Sequence, residues 1–279
     1  MATTGQRLTA LETTVAALVR RVAALEGTAP PPPPHPPPPV EPPPPPPGSV
    51  GVPPGTVLKS VSAPTVTVAG TVIDSWDMTG CLDVRAKNVT VRRSCIRGSG
   101  PCAVWVRDGA SVVLEDCEIV GGENGIGFGN YVLRRCWVHG QYGDGLKLGS
   151  DTLVEDCIVN GLRPAAGAHA DGGQVQSGVT NLIVRRSTFD VSDCDGNAAL
   201  FIAPDQGPST VGPVLVQGNV LKGGNYTLYC VDGNNGQYVV SNITIRGNVI
   251  ARGQYGSHNV NVPVTWSGNT TPDGKALPL

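Results

Sequence analysis

The feature that most constrains this chain is a short segment that recurs seven times. It reads VTVRRSCIRG (89–98), VVLEDCEIVG (112–121), YVLRRCWVHG (131–140), TLVEDCIVNG (152–161), LIVRRSTFDV (182–191), VLVQGNVLKG (214–223) and ITIRGNVIAR (243–252). Each copy alternates apolar and polar residues with the period of a strand. Each then places a small polar residue at one fixed position. That column is Ser94, Cys117, Cys136, Cys157, Ser187, Asn219 and Asn248, at spacings of 19 to 32 residues. Strand periodicity repeated at 20–30 residues, with glycine-rich corners, predicts a parallel β-helix. Each copy belongs to one coil, and coils stack about 4.8 Å apart to bury a continuous core. A constant column with variable spacing places loops of different length on one side of a constant coil. A leucine-rich repeat would need an LxxLxL signature, which is absent, and a β-sandwich would not align the column. Residues stacked inward at a turn hydrogen-bond along the stack. Cys117, Cys136 and Cys157 are therefore expected as free core thiols, since their parallel directions disfavour disulfides.

A second strand recurs in each coil: CAVWV (102–106), NGIGF (124–128), DGLKL (144–148), DGGQVQ (171–176), NAALFI (197–202) and NYTLYC (225–230). Aligned on their first residues, they give Cys102, Asn124, Asp144, Asp171, Asn197 and Asn225. Three places on, an outward column is expected to read Trp105, Gly127, Lys147, Gln174, Leu200 and Leu228. Asn and Asp favour corners, so a turn role accounts for much of the first column. Asp144 and Asp171 are its only acids and fall on adjacent coils. Lys147 and Gln174 lie beside them, and His169 precedes Asp171 by two residues. Two neighbouring carboxylates suit a glycosidase pair or a shared proton. A carboxylate with Lys147 or His169 suits abstraction of a sugar proton. Asp144, Asp171, Lys147 and His169 are thus the candidate catalytic residues. Gln174, Trp105 and Tyr142 are the candidate sugar-binding residues.

Two further parts precede the repeat. In residues 6–27, Leu8, Leu11, Val15, Leu18, Val22 and Leu25 step by 3, 4, 3, 4 and 3, a heptad seam. Residues 1–28 are read as an oligomerising coiled-coil helix. Valine at two a positions and leucine at d lean toward a dimer. Residues 29–54 are read as a rod or linker, because the run PPPPPHPPPPVEPPPPPP (30–47) is stiff polyproline spanning roughly 55 Å. Residues 55–279 form the β-helix domain.

Composition excludes several classes. Lys and Arg number 20 against 22 Asp and Glu, with no basic stripe, so no nucleic-acid partner is expected. No apolar run is long enough to span a membrane, and MATTGQRLTALETT lacks the pattern of a signal peptide. None of the eight Cys forms a CxxC pair, so no zinc or redox motif is expected. GENGIGFG (122–129) precedes no helix, which sets dinucleotide binding aside. Asp193 and Asp195 lack a full calcium loop. No cofactor and no metal are expected.

The body resembles the right-handed parallel β-helix, pectate-lyase-like repeat proteins. GDGLKLGSDTLVEDCIVNG (143–161) and HADGGQVQSGVTNLIVRRSTF (169–189) are similar to modules of actinobacterial proteins and of tail proteins of their phages. The resemblance covers roughly residues 55–275. It implies an all-β right-handed solenoid, but not one activity, since such proteins include lyases, hydrolases, epimerases and binding modules. The clustered acidic and GHG motifs of polygalacturonases, a DPHD motif and an arginine-based lyase site are absent. With its helix and proline rod, the chain resembles a phage tail fibre or minor tail protein. That resemblance implies a virion location, a homotrimer, host cell-surface polysaccharide as partner, and other tail proteins gripping the coiled coil. The alternative is a bacterial polysaccharide lyase or glycoside hydrolase.

Overall fold

The computed structural model describes residues 42–279. The coiled-coil reading of residues 1–28 and most of the proline run lie outside them. Three parallel sheets of nine strands each form the body. The first runs from Lys59–Ser62 to Val249–Ile250, the second from Thr65–Val66 to Gly256–Val260, and the third from Val72–Asp74 to Val264–Ser267. Consecutive strands belong to different sheets, and each strand pairs with the third one on. That is a parallel β-helix with three strands per coil.

Each ten-residue repeat proves to be two strands and a corner. Val89–Arg92 lies in the third sheet and Cys95–Gly98 in the first. Between them Arg93 takes a φ of 48°, and Asp116, Arg135, Asp156 and Arg186 do the same in later coils (φ 46–55°). Left-handed backbone is costly for such residues. The next residue repays it: the small polar side chain turns inward and ties the corners together. Ser187 N donates to Asn219 Oδ1 (3.0 Å), Asn219 N to Asn248 Oδ1 (2.9 Å), and Asn248 N to Asn269 Oδ1 (3.0 Å). The three thiols of this column are free and buried, and each donates to a carbonyl, as Cys157 does to Glu155 O (3.2 Å).

Inward side chains fill the coil. Met78, Ile96, Ile119, Val138, Val159, Phe189, Leu221 and Ile250 come from the first sheet, and all are fully buried. They meet Val104, Ile126, Leu146, Leu200 and Leu228 of the second. Each such side chain contributes about 1.5–3 kcal/mol. Phe189, the largest of the first set, sits against Gly172 and Gly173, where an added Cβ would come within 3.2 Å of its ring.

The outer face of the third sheet carries alternating charge. Register sets Arg92 beside Glu115, Glu115 beside Arg134, Arg134 beside Glu155, and Glu155 beside Arg185. The corner residues alternate in step: Arg93, Asp116, Arg135, Asp156, Arg186. Arg135 grips Asp116 (2.7 and 3.0 Å), and Arg186 grips Asp156 (2.9 and 3.0 Å).

The chain approaches the solenoid from its flank. Gly51 N donates to Arg135 O (2.9 Å), four coils from the first strand, and residues 52–58 then run back to Lys59. Part of the segment assigned to the linker therefore rests on the body.

Candidate functional site

The outer face of the second sheet holds the candidate residues. Register gives its outward column as Asp83, Trp105, Gly127, then Lys147, Gln174, Phe201, Tyr229 and Asn259. Leu200 and Leu228, expected here, are buried in the core. Asp171 pairs with Ala198, not Asn197, so the two later strands are offset by one residue from the sequence alignment. A one-residue offset exchanges the faces of a strand.

Asp144, Lys147, Asp171 and Gln174 come together as a hydrogen-bonded quartet. Asp144 Oδ1 accepts from Asp171 N (2.7 Å), and Lys147 Nζ donates to both Asp144 Oδ2 and Gln174 Oε1. Gln174 Nε2 donates to Asp171 Oδ2 (3.0 Å), and Asn197 Nδ2 to Asp171 Oδ1 (3.0 Å). Asn124 Oδ1 accepts from Asp144 N (3.3 Å), extending the ladder backward. Asp144 is 3% exposed and Asp171 not at all. Burial pushes the Asp144 carboxyl up, against the pull of Lys147. Burial and then the Asp144 charge push Asp171 well above the usual carboxylate range. Every oxygen of the two acids is already engaged within the protein. What the quartet does is hold Lys147 and Gln174 in place.

Lys147 and Gln174 form part of the wall of a cleft of about 300 Å³ where the second sheet turns toward the third. Its other walls include Arg107, Phe128, Asn130, Ser150, Gln176 and Gln206. Phe128 is about half exposed. Three glutamines, an asparagine and two serines (Ser150 and Ser177) beside one aromatic ring present donors and acceptors suited to hydroxyl groups, with an apolar patch between them.

The other sequence candidates fall elsewhere. His169 is exposed on the loop before Asp171 and lines a separate hollow with Asp195, Asn197 and Asn225. Tyr142 commits its hydroxyl to Gly100 O (3.1 Å). Trp105 shares the outward column, but the Arg107 guanidinium covers one ring face at 3.9 Å and is itself held by Asp83 (2.7 and 3.2 Å). Asp193 and Asp195 are exposed, and among the described residues no three His, Cys, Asp or Glu side chains are grouped to hold a metal. Sequence reading missed Phe128, Asn130, Gln176 and Gln206, which follow the strands that carry the quoted motifs. Phe128 and Gln176 were within reach, as the last letters of NGIGF and DGGQVQ.

Three in-register parallel sheets and the inward corner ladder decide the family likeness. Residues 55–190 match the family model of a right-handed β-helix region. The match spans just under half of the chain and stops in the strand Thr188–Val191, while the β-helix coils continue to Ser267. No curated protein and no solved structure matches the chain.

Proposed function

We propose that this β-helix binds a glycan in the cleft beside Lys147 and Gln174, and that it does so as the receptor-contacting body of a fibre. The observation that carries the binding reading is the cleft itself, where a buried quartet holds amide and ammonium groups rigid beside the partly exposed ring of Phe128. A rigid polar wall loses little conformational freedom when a hydroxyl-rich ligand docks. The fibre reading rests on the order of parts in the sequence: heptad helix, proline rod, solenoid. It makes the chain a homo-oligomeric tail-fibre or minor tail protein of a virion, with host cell-surface polysaccharide as ligand and neighbouring tail proteins on the helix.

The experiment is titration of the full chain with solubilised bacterial envelope polysaccharide, followed by assay of reducing ends and of unsaturated uronate. Binding that falls at least about tenfold in Gln174→Ala, a loss of about 1.4 kcal/mol, supports the cleft. Failure of the wild type to bind overturns the reading.

A second reading, a polysaccharide lyase or glycoside hydrolase, is favoured by one observation: Asp144 and Asp171 stand buried on adjacent coils, joined by the bond from Asp171 N to Asp144 Oδ1, and burial and the Asp144 charge raise the Asp171 carboxyl well above the usual carboxylate range. It requires new chain ends from the wild type and none from Asp144→Asn/Asp171→Asn. Binding without cleavage makes the two acids positioning residues for Lys147 and Gln174.

A further inference from the structure

Beyond Gln174 the outward column of the second sheet becomes aromatic. Gln174 pairs with Phe201, Phe201 with Tyr229, and Tyr229 with Asn259. Tyr226 and Tyr255 join them, so that one of the chain's three Phe and three of its six Tyr gather here. The rings interlock. Phe201 and Tyr229 have centroids 5.4 Å apart, Tyr226 meets Tyr229 edge-on at 5.4 Å, and Tyr226 lies 6.1 Å from Tyr255. Gly256 makes this arrangement possible, because a Cβ there would stand 2.7 Å from the Tyr226 ring. Phe201, Tyr226 and Tyr229 are half-buried, and Tyr255 is 60% exposed.

We infer that this cluster is a second sugar-binding platform, and that it takes further residues of the same glycan chain that enters the cleft. The inference rests on the glycan reading of the cleft. Column register makes the two sites continuous: Gln174 walls the cleft and is also the partner of Phe201. Successive coils rise about 4.8 Å, so a linear glycan lying along the solenoid axis passes from amide to ring to ring to amide. The column from Gln174 to Asn259 carries no charge, in contrast to the alternating charges of the third sheet. A pyranose offers an apolar C–H face to a ring and hydroxyls to amides on either side, and an uncharged column suits a neutral chain. The rings are locked by mutual packing before any ligand arrives, which lowers the cost of ordering them.

The test is calorimetric titration of the full chain with short and long size-fractionated neutral oligosaccharides from galactan, arabinan, glucan and mannan. In the wild type the long form is expected to bind about tenfold more tightly than the short, the gain from two stacked rings. Tyr255→Ala, at an exposed position, and Tyr229→Leu should each reduce that gain and leave the short form unchanged. Thermal unfolding of both variants establishes that they fold. Gln174→Ala should weaken both forms. A length gain that survives in both tyrosine variants overturns the platform while leaving the cleft standing. A wild type that binds none of these oligosaccharides, yet binds acidic envelope polysaccharide, also overturns the platform alone. No binding to any glycan removes both. Self-association by light scattering that disappears in Tyr255→Ala would show a protein interface and overturn the platform.

Discussion

Asn219 is buried, and its side chain does three things at once. Its Oδ1 accepts from Ser187 N, and its Nδ2 donates to Val184 O (2.9 Å) and Asn248 Oδ1 (3.0 Å). Asn219→Ala would leave a buried N–H without its acceptor and remove the donor to two oxygens. Unsatisfied buried groups cost about 1–3 kcal/mol each. Urea unfolding should therefore show a loss of about 2–4 kcal/mol for Asn219→Ala, with an unchanged m-value. This column was legible in the sequence because its residues hold one fixed place after a strand. The outward column of the second sheet was legible only as far as Gln174. Beyond it, Asn197 and Asn225 stand one residue before the positions that pair with Asp171 and its successors, and an alignment on polar letters slipped there. The adjacency of Asp144 and Asp171 followed from the repeat. Their burial did not, because it depends on Lys147, Gln174 and Asn197 closing around them.

Glu155 shows what the third sheet adds as an element. Arg134, Arg185 and Arg186 all reach it, at 3.1, 2.6 and 2.6 Å. Burial pushes its carboxyl up, but the guanidiniums of Arg186, Arg185 and Arg134 outweigh burial and leave it below the usual range. A carboxyl lowered by folding contributes stability above its unfolded value, and that stability is lost as pH falls through the folded one. Glu155→Gln should thus be less stable than wild type near neutrality by about 1–2 kcal/mol. Thermal unfolding across pH should show the two curves converging below the ordinary glutamate value of about 4.3. High salt should narrow the gap only in part, since the Glu155 carboxylate is buried among its three guanidiniums. The doublets RR, ED, RR, ED and RR stand in the sequence at residues 92–93, 115–116, 134–135, 155–156 and 185–186. Their meaning required the in-register pairing, which sets each doublet against its opposite.

At the scale of the molecule, seven repeats were visible where each sheet has nine strands. The first and last coils escaped notice because their strands are flanked by irregular segments, as in VPVTWSGN (262–269), whose Asn269 nonetheless completes the inner ladder. The alternating doublets give the solenoid a parity. Excising one coil, residues 112–130, would set Arg92 and Arg93 against Arg134 and Arg135. Excising two, residues 112–151, would set them against Glu155 and Asp156. The shorter protein should then be the sturdier one: the two-coil deletion should melt cooperatively at a higher temperature than the one-coil deletion, as calorimetry would show. In this stretch of the chain a change by a couple of turns keeps opposite charges opposed and a change by one turn does not, so lengthening or shortening of the body should proceed by even numbers.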